Sequence, residues 1–155
     1  MTDDDLIGLV QTYFAAVDAE RMDGVLATLT PDCRFSVETH GVVLNGHEEI
    51  RSMFERLWNN HAVVRHDQFT FVPSTVTGRI AAQFQVTNTA ADGSKSHKSN
   101  CNFFTVRHGR FSAVAVYMAG ANTLDRAGAT TPRIGEGKQQ PPSSPMLDHA
   151  GSKTP

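Results

Sequence analysis

Two histidines that lie five positions apart could take part in proton-transfer chemistry. They are His61 and His66, in the segment WNNHAVVRHD. A neutral imidazole is a competent base near pH 7, so either residue could move a proton. An apolar helical pattern ends at Trp58, and an alternating, strand-like pattern begins at Phe69. We therefore expect His61 to lie at or near a helix-to-strand junction.

Polar side chains on two other predicted elements could bind a substrate. Asn100 and Asn102 share one face of the alternating segment SHKSNCNFFTV. A buried strand asparagine needs hydrogen-bond partners, and its amide can donate to a substrate carbonyl without titrating. Tyr13, on the first predicted helix, could donate through its hydroxyl, although a core aromatic role is its alternative. Trp58, at the end of the third predicted helix, is a further substrate-binding candidate.

No metal or cofactor is expected. The segment HEEIR is not the H-E-x-x-H zinc motif, and no other cluster has ligand spacing. Cys33 and Cys101 lack metal-ligand spacing as well, and we expect both to be reduced thiols.

The elements that must position these residues follow the order helix, helix, strand pair, helix, and then a run of antiparallel strands. A capping Thr2 precedes apolar residues at helical spacing, which predicts a helix from Asp3 to about Ala19. Helices gathered at one end and hairpins at the other indicate an α+β fold. A curved antiparallel sheet wrapped around the helices would enclose an apolar cavity, a natural site for a small molecule.

Length and composition predict one domain, residues 1–126, followed by a tail. The chain has 155 residues, and residues 127–155 are rich in Gly, Pro and Ser, which predicts a disordered segment. A formal net charge of −2 gives no electrostatic reason to expect nucleic acid or a membrane surface as a partner. The acidic N-terminus lacks the pattern of a secretory signal, so the expected location is the cytoplasm.

Three stretches of the sequence resemble the nuclear transport factor 2-like superfamily. They are LVQTYFAAVDAERMDGVLATLTPDCRF, GHEEIRSMFERL and HGRFSAVAVYM. The first is similar to the opening of ketosteroid isomerases and SnoaL-like cyclases, and the other two resemble the family's third helix and last hairpin. The resemblance covers roughly residues 6–124 and implies a cone-shaped fold. This fold hosts isomerases, dehydratases, cyclases and non-enzymes, so the function must be argued from the site.

The dehydratase-like branch of that superfamily implies a His–Asp dyad. Its members, such as scytalone dehydratase, use an aspartate at the end of the first helix and a histidine after the third. The matching positions here are Asp18 and His61, not His66. In such a dyad the carboxylate fixes the imidazole tautomer and stabilises the imidazolium that forms. The resemblance therefore implies a cofactor-independent lyase, isomerase or cyclase acting on a hydrophobic small molecule.

Two alternatives remain open. The chain could be a non-catalytic ligand-binding or dimerising member of the fold, with Asp18 as an ordinary helix cap. It could also transfer protons as ketosteroid isomerases do, but the position of their base falls on Val37, so Glu38 would have to replace it. Members of the fold often dimerise through the outer sheet face, and we expect a homodimer. Four valines are the apolar candidates for that face: Val86, Val106, Val114 and Val116.

Overall fold

Three α-helices, one short 3₁₀ turn and six β-strands make up residues 1–124, the part of the chain that the structure, a computed structural model, describes. The elements are α1 (Asp3–Asp18), α2 (Met22–Ala27), β1 (Leu29–Val37), β2 (Val42–Asn45), α3 (Gly46–Asn60), β3 (Val63–Ser74), β4 (Arg79–Thr89), β5 (Lys95–Arg107) and β6 (Arg110–Tyr117). Their order confirms the predicted α+β class. The predicted boundary at residue 126 and the tail lie outside the described residues and stay predictions.

The six strands form one curved sheet in the order β2-β1-β6-β5-β4-β3. Neighbouring strands are antiparallel, except that β1 and β6 run parallel. Helix α1 packs against β3 and α3 packs against β1, so the helices lie in the concave side of the sheet. This arrangement is the α+β cone that the resemblance implied.

Helix α1 begins at a capping box and buries one face. The Thr2 hydroxyl accepts a hydrogen bond from the Asp5 amide, and the Asp5 carboxylate accepts one from the Thr2 amide. Its buried residues recur at helical spacing: Leu6, Val10, Tyr13, Phe14, Ala16 and Val17. The helix ends at Asp18, which brings a carboxylate to the edge of the cone.

Strand β3 begins five residues before the QFTFV segment in which the sequence predicted a strand. It starts at Val63, so His66 lies within it rather than before it. A β-bulge follows at Gln68, where β3 has one more residue than β4 between two ladder pairs and φ is +54°. Because of this extra residue, His66 and Phe69 both turn toward the helices, although they are three positions apart.

The prediction that four valines lie on the apolar outer face of the sheet is wrong for three of them. Val86, Val114 and Val116 are buried in the core, because they share strand parity with the inward-facing Phe84 and Phe104. The outer face of β5 and β6 instead carries two half-exposed aromatic rings 5.8 Å apart, Phe103 and Tyr117. The homodimer stays a prediction. Within residues 1–124, no helix has the length and apolar character needed to cross a membrane.

Candidate functional site

A partly buried His–Asp pair lies at the end of helix α1, and its histidine is His66. The His66 Nδ1 atom lies 2.5 Å from Asp18 Oδ1, and the His66 backbone amide donates to Asp18 Oδ2 at 2.9 Å. The two side chains are only 10% and 17% exposed. Asp18, the aspartate that the resemblance implied, therefore does pair with a histidine. The partner is His66, and the predicted pairing with His61 is wrong.

His61 cannot take part in this pair because of where α3 ends. It is the C-cap residue of α3, and its Nδ1 atom lies 2.9 Å from the carbonyl oxygen of Leu57, one turn back. His66, by contrast, has the strand parity of buried Val64 and faces α1. The expected junction at His61 is correct, but the dyad requires a residue inside the following strand.

The Asp18 carboxylate fixes the protonation pattern of the His66 ring. A carboxylate can only accept, so a neutral His66 must carry its proton on Nδ1 and leave a lone pair on Nε2. Nε2 has no hydrogen-bond partner within residues 1–124. The ring packs on Phe14 and Phe84, with centroids 4.7 Å and 5.3 Å away. The dyad thus presents an oriented base in an apolar setting.

His66 lines a cavity that runs between the helices and the sheet. The cavity is about 40 Å³, enough for a few water molecules. Aromatic and aliphatic side chains form most of its wall, and polar side chains from β3, β4 and β5 interrupt it. The lining includes His66, Tyr13, Asn88, Asn100, Asn102 and Leu124.

Residues 118–124, which we call the cover segment, close one side of this cavity. Met118, Thr123 and Leu124 line it. The segment is held by polar contacts: the Met118 amide donates to Thr39 at 3.4 Å, the Ala119 amide donates to Asn100 Oδ1 at 3.1 Å, and the Lys98 ammonium donates to the carbonyl oxygen of residue 121. These contacts hold the cover segment against strand β5 and the 3₁₀ turn that follows β1.

Asn100 and Asn102 both line the cavity, as their shared parity predicted, and a third asparagine joins them. Asn88, Asn100 and Asn102 are 3%, 8% and 3% exposed. The oxygen atoms of Asn88 and Asn102 are buried with no hydrogen-bond partner among the described residues, whereas that of Asn100 is bonded to the Ala119 amide. Asn88 was missed in the sequence, although its parity with Phe84 and Val86 on β4 could have revealed it.

The two aromatic substrate-binding candidates occupy different places. Tyr13 lines the cavity and its ring meets Phe104 edge-on at 5.6 Å; burial raises the pKa of its phenol far above the ordinary value, so it stays a hydrogen-bond donor. Trp58 does not line the cavity. Its indole N–H donates to the carbonyl oxygen of Val17 at 3.2 Å, and its ring lies beside Phe54. The indole N–H of Trp58 therefore helps to fix the end of α1, and substrate binding by this residue stays a prediction.

Glu38 does not reach the cavity either. It lies in the short turn Glu38–His40, where its carboxylate accepts from Ser36 at 2.7 Å and lies 3.6 Å from the Arg34 guanidinium. The ketosteroid-isomerase alternative required this side chain inside the cone, so its geometric condition fails.

Neither thiol has the surroundings of a nucleophile. Both cysteines are free, and burial raises the pKa of Cys33 to about 12 and that of Cys101 above its usual value. Within residues 1–124, no group of three or more His, Cys, Asp or Glu side chains could hold a metal ion. Among the described residues, the chemistry of the cavity therefore rests on imidazole, carboxylate, phenol and carboxamide groups.

The amino-acid sequence of this chain matches a known protein family. The family model described as a SnoaL-like domain matches residues 10–114. No curated protein matches the chain at a significant level.

Three solved structures illustrate the shared fold. A provisionally assigned polyketide cyclase from Xanthomonas campestris pv. campestris is 22% identical, with a TM-score of 0.68, covering 74% of this chain and 90% of that one. A nuclear transport factor 2-like protein of unknown function from Burkholderia pseudomallei K96243 is 21% identical, with a TM-score of 0.66, covering 77% and 92%. TerC, co-crystallised with polyporic acid, is 15% identical, with a TM-score of 0.65, covering 74% and 92%. At these identities the likeness concerns the fold alone.

Proposed function

This chain belongs to the SnoaL-like domain family, and on that premise we propose that it is a cofactor-independent enzyme that moves protons on a hydrophobic small molecule. The reaction class is cyclisation or isomerisation next to a carbonyl group. The observation that carries the proposal is the 2.5 Å contact between His66 Nδ1 and Asp18 Oδ1 at the wall of the cavity.

In the proposed reaction His66 is the general base. Its Nε2 lone pair takes a proton from the carbon beside a substrate carbonyl, and the electron pair of the broken C–H bond moves onto the carbonyl oxygen. Asp18 stabilises the imidazolium that forms. In a cyclisation, the enolate carbon then bonds to a second carbonyl carbon of the same molecule. The oxygen of that carbonyl takes the proton back from His66 Nε2, which restores the enzyme.

Asn100 is suited to bind the substrate carbonyl. Because the Ala119 amide fixes its Oδ1 atom, the orientation of its carboxamide is set, and its N–H groups are the atoms left to donate. A preorganised donor of this kind stabilises a developing oxyanion without having to reorient. The polyketide cyclase assignment of one neighbour and the polyporic acid held by another support a small organic molecule as the substrate.

Proton abstraction can be tested by solvent exchange without knowing the natural substrate. α-Tetralone, 1-indanone and acetophenone would be incubated with the protein in D₂O, and deuterium at the α-carbon would be followed by mass spectrometry. We expect exchange above the buffer rate with at least one ketone, and a loss of about 100-fold or more in His66→Gln, the usual contribution of a general base. Asp18→Asn should also slow exchange.

The chain offers a matched control in its other histidine of the same segment. His61→Gln changes the same side chain five residues away, where the ring contacts the Leu57 carbonyl and does not line the cavity. It should exchange at the wild-type rate. Equal rates in His66→Gln and wild type, or an equal loss in both glutamine variants, would contradict the assignment of the base.

A binding role without chemistry is the second candidate, and the small volume of the cavity favours it. A cavity of about 40 Å³ behind a cover segment suits a protein that encloses a ligand better than one that must admit substrate and release product at every turnover. Binding of a ketone with no deuterium incorporation in any of the three would favour this role.

A further inference from the structure

The two unpartnered asparagine oxygens lie at positions well separated along the wall of the cavity, which we call its two ends. Asn102 pairs with Ala82 of β4, and Asn88 lies six residues further along the same strand. Six residues of strand span roughly 20 Å before curvature shortens the distance. Both side chains are at least nine-tenths buried, and both line the one cavity. The unmet acceptors therefore mark two separate positions rather than one polar spot.

Each end combines an asparagine with a second polar group. His66 pairs with Val86, two residues from Asn88, so Asn88 is its diagonal neighbour across the strands, with Cα atoms roughly 7–8 Å apart. At the other end, Tyr13 packs on Phe104, two residues from Asn102 on β5. Between the ends the wall is largely apolar and includes Phe14 and Phe84, with Asn100, the partner of Phe84 across the strands, as its polar residue.

A buried carboxamide oxygen that lacks a hydrogen-bond partner lowers the stability of the folded protein. Its presence in the cavity wall is explained if a bound molecule supplies the missing donor. A carboxamide oxygen accepts hydrogen bonds and cannot donate them. The complementary group is a hydroxyl or N–H on a bound molecule. Two such oxygens separated by a largely apolar wall match a molecule that has one donor at each end of a largely apolar frame.

We propose that Asn88 and Asn102 select an elongated, largely apolar molecule that carries a hydroxyl or N–H donor at each end. Asn88 is thereby a specificity-determining residue beside the base, and Asn102 sets the distance to the second donor. This inference rests on the proposed function only in taking the cavity as the ligand site; it does not require His66 to be catalytic.

A pair of biphenyls provides a direct probe. 4,4′-Dihydroxybiphenyl has a donor at each end, and 4-hydroxy-4′-methoxybiphenyl has one of them blocked. Their dissociation constants would be measured by isothermal titration calorimetry with the full chain. We expect the dihydroxy compound to bind roughly two- to tenfold more tightly, which is the range of one net hydrogen bond. Asn88→Leu and Asn102→Leu should each abolish that preference.

Asn59→Leu, the same substitution at an exposed position of α3, is the control. Asn59 does not line the cavity, so the dihydroxy compound should keep its advantage in this variant. Circular dichroism would establish that each variant is folded, and Asn→Val at the same positions, which also lacks an acceptor, replaces any leucine variant that is not. Equal affinity for the two biphenyls, an unchanged preference in the Asn88 and Asn102 variants, or no binding of either compound to wild type would overturn the proposal. The deuterium-exchange test with His66→Gln is decided separately from all of these results.

Discussion

Replacing Asn102 with leucine should make the protein more stable, which is the opposite of the usual effect of a core substitution. The Oδ1 atom of Asn102 is buried without a hydrogen-bond partner among the described residues. An unmet buried acceptor costs about 1–3 kcal/mol. Leucine has the same number of side-chain heavy atoms as asparagine and removes this cost, and the cavity of about 40 Å³ beside the residue can take up its slightly larger terminal methyl groups with little crowding. We expect the free energy of unfolding to rise by about 1–2 kcal/mol.

Urea denaturation measures this change directly. With an m-value of about 2 kcal/mol/M, the midpoint of unfolding should rise by about 0.5–1 M while m stays constant. Asn100→Leu is the matched comparison on the same strand and face, since it deprives the Ala119 amide of its acceptor and should lower the midpoint. A midpoint for Asn102→Leu that falls as far as that of Asn100→Leu would refute the reasoning, because it would mean that the Asn102 oxygen is satisfied in the native state.

Two further predictions concern titration and reactivity. Since burial raises the pKa of Cys33 to about 12, its thiol stays protonated at pH 8, and Ellman's reagent should label only the partly exposed Cys101 in the native protein but both thiols in urea. The hydrogen bonds from Thr2 hold the pKa of the Asp5 carboxyl below its ordinary value, so this carboxylate stabilises the fold above its unfolded-state pKa. That contribution is lost as the pH falls through the lowered folded-state pKa; thermal melts of wild type and Asp5→Asn should therefore differ at pH 6 and converge toward pH 2.

Local patterns in the sequence predicted the elements and one wall of the site. Helical spacing and a capping threonine predicted α1, and period-2 alternation placed Asn100 and Asn102 on one inner face, as the structure has them. Alternation also determines which residues share a face, but it does not determine which face is inside. That is why Val114 and Val116 were predicted on the outer surface and lie in the core.

The histidine of the dyad depended on where β3 begins. Val63 and Val64 could have indicated that the strand begins before Phe69. The bulge at Gln68, however, interrupts the in-and-out alternation between Val64 and Phe69, so no single two-residue period runs through the segment. The pairing of His66 with Asp18 is set by the packing of α1 on β3, a contact between residues 48 positions apart. The parallel pairing of β1 with β6 is similarly non-local. Neither contact can be predicted from the spacing of residues that are close together in the sequence.

The bulge at Gln68 divides β3 into two parts and could be removed without changing which face either part presents. The part before it carries His66, and the part after it carries Phe69 and Phe71, whose rings stack 5.5 Å apart. Deleting Gln68 would leave a regular alternation in which Phe69 lies opposite Phe84 and Thr70 still pairs with Gln83, so His66 and Phe69 would both keep facing the helices. An engineer could therefore straighten the strand at this point without moving the imidazole from its carboxylate.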